Sequence, residues 1–136
     1  MIEEKVILIY NKYGDKMNCI FCKIINGEIP SYTLYEDEYV KCFLDVNPVA
    51  DAHTLIIPKK HFVDVNDIDN EYLLKVFEAS RKIISLIQDK TDADGFVLTQ
   101  NNGSVEEVKH YHLHVIPNYK NKKKTDVEEV FKMLTK

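Results

Sequence analysis

The strongest constraint on the fold is a seven-residue run, His110 to Ile116, in which three histidines alternate with apolar or aromatic residues. Successive side chains of a β-strand point to opposite faces, so the three imidazoles would share one face, about 7 Å apart, while Tyr111, Leu113 and Val115 enter the core. The run therefore predicts a strand with one buried face and one face of titratable rings. We expect most of these rings to be neutral near pH 7, because neighbouring imidazolium ions would repel one another.

The remaining segments predict a small α+β domain. A short helix is predicted over Ile20 to Ile25, and the longest helix over Asn70 to Asp89, with Asn70 as its N-cap. The long helix would bury one apolar stripe, made of Leu73, Val76, Phe77, Ile83, Ile84 and Ile87. Strands are predicted at Thr33–Glu36, Tyr39–Leu44, His53–Ile57, Gly95–Thr99 and Lys109–Ile116, and a terminal helix near Val127–Leu134. Together they predict an antiparallel sheet of about five strands with helices packed mainly on one face.

Length and composition indicate one globular domain. The chain has 136 residues, and a change in composition near Met17 divides it into an N-terminal extension, residues 1–16, and a single domain, residues 17–136. No apolar run approaches the roughly 20 residues of a membrane helix, and the run Val6 to Tyr10 is too short for a signal peptide. We therefore expect a cytoplasmic protein that does not bind membranes. The net charge is −4, and two glutamates follow the lysine cluster at residues 120–124, which argues against nucleic-acid binding.

Two uses of neutral imidazole fit the histidine run. Histidines that alternate along a strand can chelate a catalytic zinc ion, as three-histidine sites do. Alternatively, the central His112 can attack a phosphoryl group while a flanking ring gives a proton to the departing atom. The residues and their spacing alone do not choose between the two.

The run also matches the signature of the histidine triad (HIT) family, in which three histidines alternate with hydrophobic residues. Four other segments resemble that family in order and spacing, Cys19–Ile25, Ile29–Pro30, Phe43–Asp45 and His53–His61. The resemblance implies nucleoside 5′-phosphoramidates or dinucleoside polyphosphates as substrates, with cleavage at the α-phosphate of a purine nucleotide. It also implies a homodimer joined by the long helix and one sheet edge. We expect no organic cofactor.

By position, the resemblance implies roles for individual residues. His112 would be the nucleophile and form a covalent nucleotidyl intermediate that water hydrolyses, while His114 and His53 would border the phosphate. Asp45 would hold the ribose hydroxyls, and Asn101 would contact the phosphate side. An apolar slot for the purine base would be formed by Ile20, Phe21, Ile24, Phe43 and Val46.

The cysteines suggest a metal site. Three cysteines in a chain without an export signal favour thiols or metal ligation over disulfides, and Cys42 alternates with apolar residues and is predicted to be buried. Relatives in the family, chiefly bacterial ones and the uridylyltransferase branch, hold zinc with a Cys-x-x-Cys pair and two histidines. The resemblance therefore implies a structural zinc site formed by Cys19, Cys22, His61 and His110.

The loop before the triad departs from the family pattern. Between Asn101 and His110 it is about two residues shorter, and it reads Ser104-Val105-Glu106-Glu107 where the family carries a glycine, a glutamine and a hydroxyl residue. Two carboxylates beside an anionic substrate are unfavourable unless they point away or contact a cationic leaving group. We predict that Glu106 or Glu107 biases the choice of leaving group.

Two other functions stay open at this point. A metallohydrolase built on the three triad histidines would need metal for turnover and would form no covalent adduct. A non-enzymatic nucleotide-binding dimer would be stabilised by mononucleotides without turning them over. The cysteine pair argues against the metallohydrolase, because it offers a metal ion a different set of ligands.

Overall fold

The secondary structure follows the predicted order. The computed structural model describes residues 18–122 and 124–136, so the predicted extension over residues 1–16 lies outside the described residues and the boundary near Met17 stays a prediction. The elements are α1 (Ile20–Ile25), β1 (Thr33–Glu36), β2 (Val40–Leu44), β3 (Thr54–Pro58), α2 (Asn70–Lys90), β4 (Gly95–Thr99), a single 3-10 turn (Gly103–Val105), β5 (Leu113–Asn118) and α3 (Val127–Leu134).

The five strands form one antiparallel sheet in the order β1-β2-β3-β5-β4. Because side chains alternate along a strand, the sheet supports two apolar clusters. On one face, Cys42, Ile56 and Leu113 pack with the buried residues of α2 and α3. On the other face, Phe43 and Leu55 pack with the buried residues of α1. The predicted fold class is confirmed, and α1 is the helix that lies on the second face.

The histidine run keeps its predicted alternation but enters the sheet late. Tyr111, Leu113 and Val115 are all buried, as predicted. The strand begins at Leu113 rather than at Lys109, because the backbone N–H of Tyr111 donates to the carbonyl of Phe62, in the loop after β3, at 2.7 Å. The first two histidines of the run are therefore held by a loop contact and not by the β3–β5 ladder.

Helix α2 differs from its prediction at two points. Its N-cap is Asp69, whose carboxylate accepts from the backbone N–H of Tyr72 at 3.0 Å, so the prediction of Asn70 as the cap was wrong by one residue. Phe77 was also wrongly assigned to the buried stripe, since it is 42% exposed. Ser80 is buried in the stripe instead, and its hydroxyl donates to the carbonyl of Phe77 at 2.6 Å, which satisfies the polar group inside the fold.

Several large apolar side chains remain exposed on α2 and on the edge strand β4. Leu74 and Phe77 lie three residues apart and therefore on one side of the helix, while Val97 and Leu98 lie on β4, which has a partner on one side only. Within the described ranges, no helix combines the length and the apolar character that a membrane span requires.

Candidate active site and metal centre

His53, His112 and His114 come together at the edge of the α1 face. His53 precedes β3, and its Nε2 lies 2.9 Å from Nδ1 of His114, which pairs with Leu55 across the β3–β5 ladder. The rings of His112 and His114 have centroids 5.0 Å apart. The topology thus brings the two predicted phosphate-bordering histidines into direct contact beside the predicted nucleophile.

The hydrogen bonds specify the tautomer of His112. Its Nδ1 lies 2.8 Å from the main-chain carbonyl of His110. A carbonyl can only accept, so Nδ1 must carry the proton and donate it. In the neutral ring the lone pair is then on Nε2, which is the atom needed for attack on phosphorus.

A relay of hydrogen bonds determines the tautomers of the other two rings, His53 and His114. The backbone N–H of Val49 donates to Nδ1 of His53 at 3.0 Å, so the proton of neutral His53 is on Nε2 and is donated to Nδ1 of His114. His114 must then carry its own proton on Nε2. That atom is buried and has no hydrogen-bond partner among the described residues. The relay therefore ends in an unsatisfied donor beside His112, which suits an anionic oxygen.

The local electrostatics keep all three rings neutral. Burial lowers the pKa of His53, of His112 and of His114 below the ordinary value of 6.5. The carboxylate of Asp45, whose Oδ2 lies 3.6 Å from Nε2 of His53, opposes this shift at His53 and His114. A neutral His112 can act as a nucleophile, whereas its protonated form has no free lone pair.

A cavity of about 280 Å³ opens in front of His112 and His114. Six of the seven residues predicted to bind nucleotide line it, Ile20, Phe21, Ile24, Phe43, Asp45 and Val46. Phe21, Ile24 and Phe43 are buried and form the apolar wall, whereas Val46 is 65% exposed at the rim. The ring of Phe21 also contacts the edge of His112, with centroids 5.1 Å apart. We call this cavity the base pocket, after the role that the sequence analysis predicts for its residues.

The seventh residue, Asn101, lies elsewhere. It lines a second cavity of about 400 Å³, which we call the outer cavity. The two cavities share four residues, Asp45, Asn47, Glu107 and His114. Asn101 therefore lies outside the base pocket, and its contact with the phosphate stays a prediction.

The four predicted metal ligands converge, with all their donor atoms within 4.8 Å of one another. Sγ of Cys22 lies 3.3 Å from Nδ1 of His61, Sγ of Cys19 lies 3.4 Å from Nδ1 of His110, and the two Nδ1 atoms are 3.2 Å apart. Zinc bonds of about 2.3 Å to sulfur and 2.0–2.1 Å to nitrogen put tetrahedral ligand atoms roughly 3.3–3.8 Å apart. The donor set therefore fits a closed zinc site.

The surroundings of the cluster also suit a metal. Nε2 of His110 donates to the carbonyl of Pro58 at 2.9 Å, which leaves the Nδ1 lone pair directed at the cluster. The hydrogen bond with Cys22 is the main cause that lowers the pKa of the Cys19 thiol well below its ordinary value, which favours the thiolate form that a zinc ligand requires. By contrast, burial raises the pKa of the Cys42 thiol to about 12, as expected for a buried structural cysteine.

The three triad histidines do not form one metal site. His110 belongs to the cysteine cluster, whereas the other group of potential ligands in the described part of the chain joins His114 to His53 and Asp45. The short contact between His53 and His114 is already explained by a hydrogen bond. The geometry therefore gives no support to a metallohydrolase that uses all three.

Comparisons with known proteins identify the family. A model of the HIT domain matches residues 26–121. The chain belongs to the HIT family. A HIT-like protein of Methanocaldococcus jannaschii is 41% identical over 125 residues, which cover 84% of this chain and 96% of that protein. An adenosine 5′-monophosphoramidase of Candida albicans is 43% identical over 106 residues, covering 74% and 70%. A zinc-bound histidine triad family protein of Mycobacterium smegmatis superposes with a TM-score of 0.81 at 33% identity, covering 88% and 91%.

In this HIT protein the two glutamates of the short loop, Glu106 and Glu107, lie in different surroundings. Glu106 is buried, both of its carboxylate oxygens lack hydrogen-bond partners among the described residues, and burial raises its pKa to about 7. Its nearest cation is Lys109, with Nζ 4.0 Å from Oε1. Glu107 is exposed and lines both the base pocket and the outer cavity. Of the two glutamates, only Glu107 lines these cavities.

Sequence reasoning missed seven residues that line the base pocket, among them Leu55 and Val108. Leu55 lines it and lies directly opposite Phe43 in the β2–β3 register, so the pairing of the two strands would have revealed it. Val108 also lines the pocket from the short loop. No periodicity in the sequence indicates its position, because the loop has neither helical nor strand spacing.

Proposed function

We propose that this HIT protein hydrolyses purine nucleoside 5′-phosphoramidates or dinucleoside polyphosphates at the α-phosphate, through a covalent nucleotidyl intermediate on His112. The observation that carries the proposal is the hydrogen bond from Nδ1 of His112 to the carbonyl of His110, because it leaves the Nε2 lone pair beside the base pocket. The similarity to an adenosine 5′-monophosphoramidase supports the same reaction.

The geometry supports a two-step displacement. The Nε2 lone pair of His112 bonds to phosphorus, and the bond from phosphorus to the leaving group breaks, with its electron pair and a solvent proton going to the leaving atom. Positive charge that develops on His112 is stabilised by the carbonyl of His110, and the Nε2–H of His114 can donate to a phosphoryl oxygen. Water then displaces His112 from phosphorus, which releases the mononucleotide and restores the ring.

The deciding experiment is AMP release from adenosine 5′-phosphoramidate without added metal. We expect turnover by the wild type and a loss of about 10³-fold or more in His112→Asn, which keeps a hydrogen-bonding side chain but has no nucleophilic lone pair. AMP should still raise the thermal midpoint of the variant, which shows that the pocket is intact. A wild type that binds AMP but releases none from the substrate would contradict the proposal and favour the non-enzymatic nucleotide-binding dimer.

We also propose that the cysteine cluster holds a structural zinc ion. A closed site of four protein ligands leaves no position for substrate, so the ion would stabilise the fold and take no part in the displacement. Its ligands connect α1, through Cys19 and Cys22, to the loop after β3, through His61, and to the start of the histidine run. The similarity to a zinc-bound HIT protein is consistent with this site.

We further propose a cytoplasmic homodimer joined through α2 and β4. The exposed apolar side chains of both elements support the interface, because exposed apolar clusters commonly mark protein contacts. An edge strand with an unpaired backbone can also add a second copy of the sheet.

A further inference from the structure

The outer cavity differs in chemistry from the base pocket. The base pocket is walled mostly by aliphatic and aromatic side chains, whereas the outer cavity is lined mainly by polar ones. The carboxylates of Asp45 and Glu107 line both cavities, where the two adjoin. No lysine or arginine is among the described residues that line the outer cavity. With the base in its pocket and phosphorus at His112, the outer cavity, which adjoins the base pocket at His114, offers space for a leaving group.

The charge of the outer cavity is not neutralised locally. His53 and His114, which also line it, are kept neutral by burial. Lys109, the nearest lysine in sequence, donates to the carbonyl of Gly103 at 2.6 Å and is directed at Glu106, so it is engaged on the loop. The negative charge of Glu107 raises, against the effect of burial, the pKa of His53, of His112 and of His114. This charge therefore lies close to the reacting centre.

We propose that Glu107, assisted by Asp45, selects substrates whose leaving group is an amine that carries an additional positive charge. The inference rests on the proposed function and narrows it to phosphoramidates of cationic amines. Polyphosphate leaving groups would place negative charge against two carboxylates and are disfavoured. In the reaction itself Glu107 exchanges no proton and forms no bond, since it only holds the ammonium group while the P–N bond breaks.

The test uses three phosphoramidates of AMP with the same alkyl chain on nitrogen, ending in a methyl, an ammonium or a carboxylate group. A chain of six carbons keeps the basicity of the leaving nitrogen nearly constant, so kcat/KM reports the distant charge. We expect the wild type to prefer the ammonium substrate over the methyl one by about tenfold, and the carboxylate substrate to be the poorest. Dinucleoside polyphosphate should be a poor substrate for the same reason.

Substitutions of Glu107 test whether this residue causes the preference for the ammonium substrate. Glu107→Gln should reduce the preference to about twofold, and Glu107→Lys should favour the carboxylate substrate. Glu38→Gln is the matched control, because Glu38 is exposed in the turn between β1 and β2, at the end of β2 away from Asp45, and should keep the wild-type order.

The outcomes separate the two proposals. Equal kcat/KM for the three substrates in the wild type would overturn the selectivity and leave the hydrolase activity standing. An unchanged preference in Glu107→Gln would overturn the assignment to Glu107. Failure to release AMP from any of the three would overturn the proposed function, and this inference with it.

Discussion

Three imidazoles in contact, two of them buried and the third half-buried, are stable at neutral pH only if they are uncharged. His53, His112 and His114 meet this condition through burial, and the relay that starts at the backbone N–H of Val49 gives His53 and His114 complementary donor and acceptor atoms. Protonation of His53 at Nδ1 would break the bond from Val49, because the atom would no longer accept. The relay and the lowered pKa values therefore support each other.

We predict that His53 and His114 titrate below pH 6.5. Burial disfavours their charged forms, so between the lowered pKa and 6.5 the unfolded chain binds more protons than the folded one. Their contribution to stability is therefore complete above pH 6.5 and is lost as the pH falls through that window. Nitrogen NMR of the imidazoles across about pH 5–8 measures both midpoints directly. A midpoint at or above 6.5 for either ring would contradict the assignment.

The buried Glu106 should give the free energy of unfolding a pH dependence of the opposite sign. Burial raises its pKa from 4.5 to about 7, so within this window the folded chain binds the extra proton and the free energy of unfolding falls as the pH rises. Glu106→Gln should remove this dependence and stabilise the protein at about pH 8, relative to about pH 5.5, by on the order of 1–2 kcal/mol. Urea unfolding with zinc in excess measures the difference.

Glu107→Gln is the control for that measurement. Glu107 is the next residue but is exposed, and it affects only the catalytic histidines, so its substitution should produce much less stabilisation at about pH 8 than Glu106→Gln does. A similar effect for both variants would mean that the field of the whole loop, and not the burial of Glu106, is responsible.

Residues on regular elements were predictable from sequence to a greater extent than residues in loops. Period-two spacing predicted the burial of Tyr111, Leu113 and Val115, and it did so although the strand begins only at Leu113. The burial of Glu106 and the exposure of Glu107 were not predictable from the sequence. It depends on a loop whose path is determined by tertiary hydrogen bonds and by no repeating pattern.

At the scale of elements, α1 connects the metal cluster to the base pocket. It is only six residues long, and helices of this length are not stable alone in water. Phe21 and Ile24 form the pocket wall from this helix, while Cys22 belongs to the cluster and Cys19 caps the helix. The position of the wall should therefore depend on the metal.

We predict that Cys22→Ala loses zinc and weakens AMP binding together. Removing one of four ligands opens the site, so elemental analysis should fall well below one zinc per chain, and unfolding should become easier by several kcal/mol, on the order expected for a structural zinc. AMP affinity should fall about tenfold or more, because α1 is no longer held in place. Calorimetric titration with AMP and zinc analysis of the same sample test both effects.

Cys42→Ala is the matched control for this variant. It also removes a thiol, but from the buried core on the other face of the sheet, away from the cluster. It should lower stability and keep both zinc and AMP affinity. Full zinc content in Cys22→Ala would contradict the ligand assignment.

The ends of the helices and strands were predicted less accurately than their middles. The core of each strand and helix was identified, since alternation and helical periodicity are local. The ends were misplaced where a single hydrogen bond decides them, as at the Asp69 cap of α2 and at the bond from Tyr111 to Phe62 that delays β5. Both involve atoms whose partners cannot be identified from spacing.

At the scale of the molecule, the sheet separates the main apolar core from the candidate active site. The larger apolar cluster, with α2 and α3, lies on one face, and the base pocket with the metal cluster lies on the other. Substitutions in the active site can therefore change activity without disturbing the main core. Within one chain, the outer side of α2 and the edge of β4 contribute neither to the main core nor to the candidate active site. Both nevertheless carry exposed apolar residues.

We predict that these exposed residues form the dimer interface. Burying Phe77 and Leu98, which are 42% and 39% exposed in the single chain, would be favourable by about 25 cal/mol for each Å² of apolar surface removed from water. A carboxylate in either place would be buried without a partner, so Phe77→Glu and Leu98→Glu should each shift the protein to monomer in sedimentation equilibrium at micromolar concentration.

Val105→Glu provides the control, because Val105 is 65% exposed on the 3-10 turn, outside both α2 and β4, and the variant should stay dimeric. A wild type that sediments as a monomer would contradict the interface altogether. If only Leu98→Glu dissociated the dimer, the contact would run through the sheet edge alone, and the outer side of α2 would need another explanation for its exposed phenylalanine. The three variants therefore determine which of the two elements makes the contact, as well as whether the dimer exists.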